Sequence, residues 1–301
     1  LAHTDRDARW TKKHGKSYYG YKLHGNVDAR YKLIRQMKIT AANADDGQQL
    51  PDVLQVANTR KRLLADRGYD SAANRQTLQQ IAELTALSGY PHLVKVWHYL
   101  GAINEDDGSG DPDGERYRRF CVGRARALAP EQALPAATAV GIQARPHQLT
   151  VFLLAAKVAG TRIENPRQVP AFEYPRAYGP ASPSFSRAML MPWGQLFVSG
   201  TAAVVGHESC HPENTGAQFR ELALNLDALV ARAEAVGGRQ LAPAALKIYV
   251  RHRDDLAEVE ALAARLFPAD CPRLTVLADI SRADLRVEVE ALYDPVDGVA
   301  A

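Results

Sequence analysis

The chain has 301 residues, 46% of them apolar and 24% charged, which is enough to build two ordinary cores. No apolar run reaches the length of a membrane-spanning helix and no signal peptide is evident, so a membrane partner is not expected. The net charge of +3 hides an asymmetry: residues 1–80 hold 15 Lys and Arg against 8 Asp and Glu, a net of +7, and the remainder holds 22 against 26, a net of −4. A change of sign along the chain points to two pieces with different partners. Cys121, Cys210 and Cys271 are odd in number and widely spaced, as expected for free thiols in a reducing cytoplasm. The opening at Leu1, inside a charged segment, points to a fragment.

Residues 5–22 interleave Arg6, Arg9, Lys12, Lys13, Lys16 and Lys22 with Trp10, Tyr18, Tyr19 and Tyr21. The alternation through YYGYKLHGNVDARYKLIRQMKIT, broken at Gly25-Asn26 and Asp28-Ala29-Arg30, predicts a hairpin or meander. Basic residues and aromatics on adjoining strands suit a nucleic-acid backbone, and they equally suit a solvated sheet face. LLADRGYDS predicts an apolar strand ending in Asp66, a position at which a carboxylate can ligate a metal ion for phosphoryl transfer.

TDRDARWTKKHGKSYYGYKLHGNVDARYKLI followed by ADRGYDSAAN resembles the catalytic domain of IS5-type DDE transposases, which have an RNase H-like fold. The resemblance implies that Asp66 matches the second of three metal-binding acids. The first acid would precede residue 1, and no later Glu matches the third. Mg²⁺ would serve only an intact transposase, because two-metal chemistry needs carboxylates that share the ions. The expectation is therefore a remnant without transposition activity, with residual DNA binding through its basic face.

After about residue 84 the pattern changes. LVKVWHYLGAI predicts a strand, NEDDGSGDPDGE an exposed loop, and ERYRRFCVGRARALA a helix with Tyr117, Phe120, Cys121, Arg124 and Leu128 on one buried face. Its arginines, Arg116, Arg118, Arg119, Arg124 and Arg126, are expected on a solvated face. ALPAATAVGI and QLTVFLLAAKV predict a strand pair turning near Arg145-Pro146. The segment ENPRQVPAFEYPRAYGPASPSFSRA carries five prolines among Arg167, Arg176, Arg187, Tyr174 and Tyr178. Such a rigid loop suits either a carboxylate-binding site or a linker.

From residue 181 the expected order is ββ, α, β, α, β, β. A hairpin spans Phe185–Leu190 and Gln195–Val205, and a long helix runs from Thr215 to Val236 with Phe219, Leu222, Leu226, Leu229 and Val230 as its stripe. Gly237-Gly238 ends it. This predicts an α+β domain, a mixed sheet with helices on one face. In the last strand Glu288 and Glu290 share a face, and burial would fit either for acid catalysis. Arg273 is a candidate carboxylate clamp. His207-Glu208-Ser209-Cys210-His211 spells HExxH, a zinc-peptidase motif if helical. Gly206 before it, Pro212 after it and the strand leading in predict a loop instead, so no metal is expected.

The motifs FVSGTA, AQFRELALNLDALVARA and CPRLTVLADISRADLRVEVEALY resemble the RidA superfamily. Over residues 88–292, SGYPHLVKVWHYLGAIN, ERYRRFCVGRARAL, IENPRQVPAFEYPRAYGPASPSFSRA and LFVSGTAAVVGHESCHPEN resemble the chorismatases, enzymes that release pyruvate from chorismate. The resemblance implies two RidA-like halves: a truncated first half at 84–180 and a complete second half at 181–301, preceded by the incomplete RNase H-like fragment at 1–80. It makes Glu288 the catalytic acid, protonating the enolpyruvyl methylene, and Arg273 a carboxylate ligand. It places Tyr178 and Arg187 in a substrate-binding block, Ala203 on the pocket wall, and Ser281 where product choice is set among a dihydrodiol, 3-hydroxybenzoate and 4-hydroxybenzoate. Chorismate is the expected small-molecule partner and no cofactor is expected. Truncation is expected to weaken or abolish activity.

Overall fold

The computed structural model describes the strands at residues 9–13, 16–27, 34–41 and 63–64, and then residues 85, 87, 89–106, 111, 113–127, 134–143 and 149–296. Asp66, Leu128 and the Arg145-Pro146 turn lie outside the described residues, as do the side chains of Trp10 and Tyr18–Tyr21.

Strands β1 (Arg9–Lys13), β2 (Lys16–Val27) and β3 (Ile34–Ala41) form an antiparallel meander, as the alternation predicts. One detail differs: β2 runs straight through Gly25-Asn26 and accommodates them with a register shift opposite Gln36 and Ile34.

The next elements are β4 (Leu63–Leu64), β5 (His92–Gly101), α1 (Arg116–Ala127), β6 (Ala136–Ile142) and β7 (Leu149–Ala156). β6 and β7 are both strands, but they are not a pair. β6 lies parallel to β5 on one edge and β7 antiparallel on the other. The reason is the crossover: a strand that follows a helix returns parallel to its predecessor, which leaves the opposite edge for the next strand. β4 then adds two residues to the outer edge of β7.

The rest of the chain gives β8 (Thr161–Ile163), β9 (Ala188–Leu190), β10 (Leu196–Ala202), β11 (Val204–Val205), β12 (Glu208–Ser209), α2 (Thr215–Gly237), β13 (Leu241–Val250), α3 (Leu256–Leu266), β14 (Arg273–Leu277), β15 (Asp279–Ile280) and β16 (Val287–Pro295). The larger sheet has the order β14-β13-β16-β10-β9-β8. Its β13 repeats the behaviour of β5, parallel to the strand after its helix (β14) and antiparallel to the last strand (β16). The two sheets are therefore built on one rule. β4, antiparallel on the outer edge of β7, stands where β10 stands beside β16.

The sheets are also stitched together. β15, from the second half, pairs with β6 in the smaller sheet, and β8, from before residue 181, joins the larger one.

Helix α2 starts where Asn214 accepts a hydrogen bond from the Ala217 amide (2.9 Å), and it stops at Gly238, whose φ of +66° suits glycine. Its stripe of Phe219, Leu222, Leu226 and Leu229 is buried against Val287, Val289 and Ala291 of β16 and Leu246, Ile248 and Val250 of β13. Two buried polar residues do what the apolar stripe cannot. Asn225 donates to the carbonyls of Ala202 and Val204, and Gln218 donates to Asp284 and accepts from the Arg286 amide. They satisfy backbone groups where β10 ends and β16 begins. No helix among the described residues is long and apolar enough to cross a membrane.

Candidate active site

Strand alternation puts Val287, Val289 and Ala291 against the helices and turns Glu288 and Glu290 to the other face. That face meets the first half. Both acids are buried, at 5% and 6% exposure, yet their surroundings differ completely.

Glu290 is saturated with donors. Its Oε2 accepts from Thr138 Oγ1 (2.6 Å) and Trp97 Nε1 (2.7 Å) and lies 3.3 Å from Lys95 Nζ. Its Oε1 accepts from Lys247 Nζ and Tyr249 OH, each at 2.9 Å. Burial alone would raise its pKa, but the two ammonium groups and these hydrogen bonds hold it well below the usual carboxylate range. Lys95 is itself buried, which lowers its pKa against the pull of Glu290. It also donates to Thr138 Oγ1 and to the Val198 carbonyl, so it ties β5 to β6 and β10.

Glu288 is the opposite case. No hydrogen bond reaches its carboxyl among the described residues. Burial, and then the negative charge of Glu290, push its pKa up to about 8 against the opposing pull of Lys95 and Arg187. At neutral pH Glu288 is the protonated member of the pair and Glu290 the charged one, the arrangement that separates an acid from its neighbour.

The Glu288 carboxyl lies across Gly200, where β10 bulges between Val198 and Thr201. A Cβ at this position would overlap Glu288 Oε1 and sit 2.7 Å from its carboxyl carbon, so only glycine leaves the space. The bulge is fixed from the other half: the Gly200 amide donates to Thr138 Oγ1 (3.1 Å) and Ser199 Oγ accepts from the Ala137 amide (2.8 Å). Beyond Gly200 opens a cleft at the seam of the two halves. One wall is His98, Tyr117, Cys121 and Arg124 of β5 and α1; the other is Ser184, Phe185, Ser281 and Glu288.

Of the residues singled out from sequence, Glu288 and Ser281 share this cleft. Arg187 is buried beside it, donating to Tyr174 OH (2.7 Å) and the Val169 carbonyl (3.0 Å), with its guanidinium 5.4 Å from the centre of the cleft-lining Phe185 ring. Tyr178 stacks on the Arg282 guanidinium (4.0 Å) and its hydroxyl meets His207 Nδ1 (3.3 Å), off the cleft walls. Ala203 is enclosed with Val140, Tyr249 and Ile280, so it packs a core instead of lining the cleft.

Arg273 requires a correction. Its register opposite Leu246 puts it on the helix-facing side of the sheet, where it donates to the Ala263 and Pro268 carbonyls at the end of α3. It caps a helix and does not reach Glu288. HExxH is likewise not helical: Glu208–Ser209 pairs with Val204–Val205 as a small hairpin, and His211 has φ +54° and meets Glu221. Among the described residues, no group of three or more His, Cys, Asp or Glu is placed to hold a metal ion.

Sequence reasoning passes over Lys95, Trp97 and Thr138, although Lys95, Trp97 and Tyr99 at a spacing of two on one strand are a visible sign of the first two. It also places Arg124 with the solvated arginines of α1, while the same residue falls in that helix's apolar stripe. The structure buries it, at 3% exposure.

The chain is thus a two-sheet α+β fold that buries a carboxyl of raised pKa in the cleft at the seam of its sheets. The sequence profile "Chorismatase FkbO/Hyg5-like, N-terminal" matches residues 29–155. The 3-hydroxybenzoate synthase of Streptomyces hygroscopicus is 36% identical over 245 residues, covering 75% of this chain and 70% of that protein. A chorismatase of Streptomyces rapamycinicus is 40% identical over 241 residues, covering 75% and 71%. A crystal structure of chorismatase superposes with a TM-score of 0.69 at 33% identity, covering 78% of this chain and 75% of that one. The chain belongs to the chorismatase family. Separately, 76 residues, 25% of the chain, are 43% identical to the transposase for insertion sequence element IS1106 of Neisseria meningitidis, of which they cover 26%. The family profile begins at residue 29, inside the segment that resembles a transposase.

Proposed function

We propose that the chain releases pyruvate from chorismate by acid catalysis at the seam, with Glu288 as the acid. The observation that carries this reading is a buried carboxyl that faces the cleft with no hydrogen bond among the described residues; burial and the Glu290 charge push its pKa up to about 8. Relatives named as chorismatase and 3-hydroxybenzoate synthase support it. Glu288 gives its proton to the enolpyruvyl methylene carbon, and the ether carbon becomes an oxocarbenium centre. Water adds there and returns a proton to Glu288. The resulting hemiketal breaks its bond to the ring oxygen as its hydroxyl proton passes to that oxygen, leaving pyruvate and a dihydroxy-cyclohexadiene carboxylate. The hydroxybenzoate outcomes differ in how the ring is left, and we assign influence over that choice to Ser281, which lines the same cleft as Glu288. Arg187 is placed to favour carboxylates near the acid, with Tyr178 supporting the outer part of the same loop. The reaction so written uses no cofactor.

The test is pyruvate release from chorismate, with the ring product identified by chromatography. Glu288→Gln is expected to lower the rate by about 10²–10⁴-fold. Wild-type activity is expected to fall as pH rises through about 8, where Glu288 loses its proton. Equal rates in the two proteins would remove Glu288 from the mechanism.

We further read residues 1–80 as a transposase-derived segment joined to the chorismatase part near residues 80–86. The 43% identity to the IS1106 transposase supports this. The basic excess of the segment makes residual DNA binding its expected activity, to be checked by salt-dependent retardation of a duplex. An interrupted frame in genomic DNA across the codons for residues 75–90 would overturn the fusion.

A further inference from the structure

We propose that Arg124 is the residue of the cleft that binds a carboxylate of the ligand, on the wall across from Glu288. The inference rests on the function proposed above for the identity of the ligand, but its structural basis is independent. A buried charge is costly unless it is paired. Arg124 is buried at 3% exposure, and none of its contacts is an acid: Nε donates to the Ser184 carbonyl (3.0 Å) and Nη1 to His98 Nε2 (2.5 Å). Its Nη2 is buried without a partner, and the residue lines the cleft. A charged donor thus waits for an anion that the described residues do not supply.

The side chain is also held ready. His98 is fully buried beside the Arg124 charge, and both effects favour its neutral form. Its Nδ1 contacts the Thr138 carbonyl (3.2 Å), which can only accept, so Nδ1 carries the proton and Nε2 is free to accept from Arg124. Thr138 in turn donates to Glu290. The network that fixes Glu290 therefore also orients Arg124, through His98. A guanidinium with Nε and Nη1 each spending a bond on orientation, and with both Nη2 hydrogens unpartnered, is suited to a carboxylate oxygen. Arg124 fills the role that the sequence had assigned to Arg273.

The experiment compares binding of 3-hydroxybenzoate and its neutral analogue 3-hydroxybenzamide to the full chain by calorimetry. The wild type is expected to prefer the carboxylate. Arg124→Gln is expected to lose about 10–100-fold in affinity for the carboxylate, with little change for the amide, and to raise KM for chorismate more than it lowers kcat. Arg124→Lys, which keeps the charge but not the planar fork, should recover part of the preference. Equal carboxylate affinity in wild type and Arg124→Gln, or no preference in the wild type, would overturn the assignment. If Arg124→Gln does not fold, phenylglyoxal labelling of the wild type takes its place: 3-hydroxybenzoate should protect Arg124, and undiminished labelling would overturn the proposal. Carboxylate preference lost in the variant supports Arg124 even if the wild type releases no pyruvate, a result that would sink only the proposed function.

Discussion

The two faces of β16 are one residue apart in sequence and opposite in character. On the outer face Val287, Val289 and Ala291 meet Phe219, Leu222 and Leu226 of α2, an all-apolar contact whose stability grows with the area it buries. On the inner face Glu288 and Glu290 meet Lys95, Thr138, Trp97 and Gly200, a polar contact in which each group depends on a particular partner. The outer face tolerates loss by degrees. The inner face does not, because removing one partner leaves another charge buried and uncompensated.

The comparison breaks most visibly with one substitution on each face. Phe219→Ala removes a fully buried ring and is expected to cost about 3–5 kcal/mol in a denaturant titration. Activity per folded molecule should stay near wild type. Lys95→Met is expected to cost a similar amount, about 3–5 kcal/mol, because it strips Glu290 of one of its two cations. Activity should fall with it, since Lys95 and Thr138 together hold the Gly200 bulge under Glu288. If Lys95→Met loses stability and keeps full activity, the inner face is structural only.

Gly200→Ala separates the two consequences. The new Cβ meets the free end of a side chain that has no hydrogen bonds to lose, so Glu288 gives way at little cost in stability. The acid is nevertheless displaced, and pyruvate release is expected to drop about 10²-fold, the usual consequence of misplacing a catalytic group by about 1 Å. A variant as active as wild type would show that the Glu288 position over Gly200 is unimportant.

The smallest effect is in the pH dependence of stability. Folded Glu288 keeps its proton up to about pH 8, whereas its ordinary value is 4.5. Between those values the folded state binds more protons than the unfolded one, so stability is greatest at the acid end and falls as pH rises toward 8. Glu290 acts in the opposite sense and only at acid pH, losing its contribution as pH falls below the ordinary carboxylate range. From pH 6 to 7 the wild type should lose about 1 kcal/mol relative to Glu288→Gln, which lacks the titrating group. Parallel unfolding midpoints for the two proteins across this range would count against a raised Glu288 pKa.

Local pattern was enough for every long element of the second half. The stripe of α2, its glycine stop, the β9–β10 hairpin and the shared face of Glu288 and Glu290 all follow from periods of 3.6 and 2, which the chain carries without reference to anything distant. The Gly206 and Pro212 flanks of HExxH also sufficed, since backbone constraints are local. Partner choice was not legible. That β6 and β7 flank β5 instead of pairing with each other depends on how the chain crosses over α1. That Arg273 faces the helices depends on its register against Leu246, and a one-residue change would turn it to the other face. Arg124 and Lys95 were ambiguous for the same reason: a basic residue in an apolar stripe belongs to solvent or to a site according to what packs against it. The sequence alone thus determined which residues share a face. Only the tertiary structure decided which faces meet, because the seam joins groups more than a hundred residues apart, such as Lys95 with Glu290, whose energies exist only once both halves are in place.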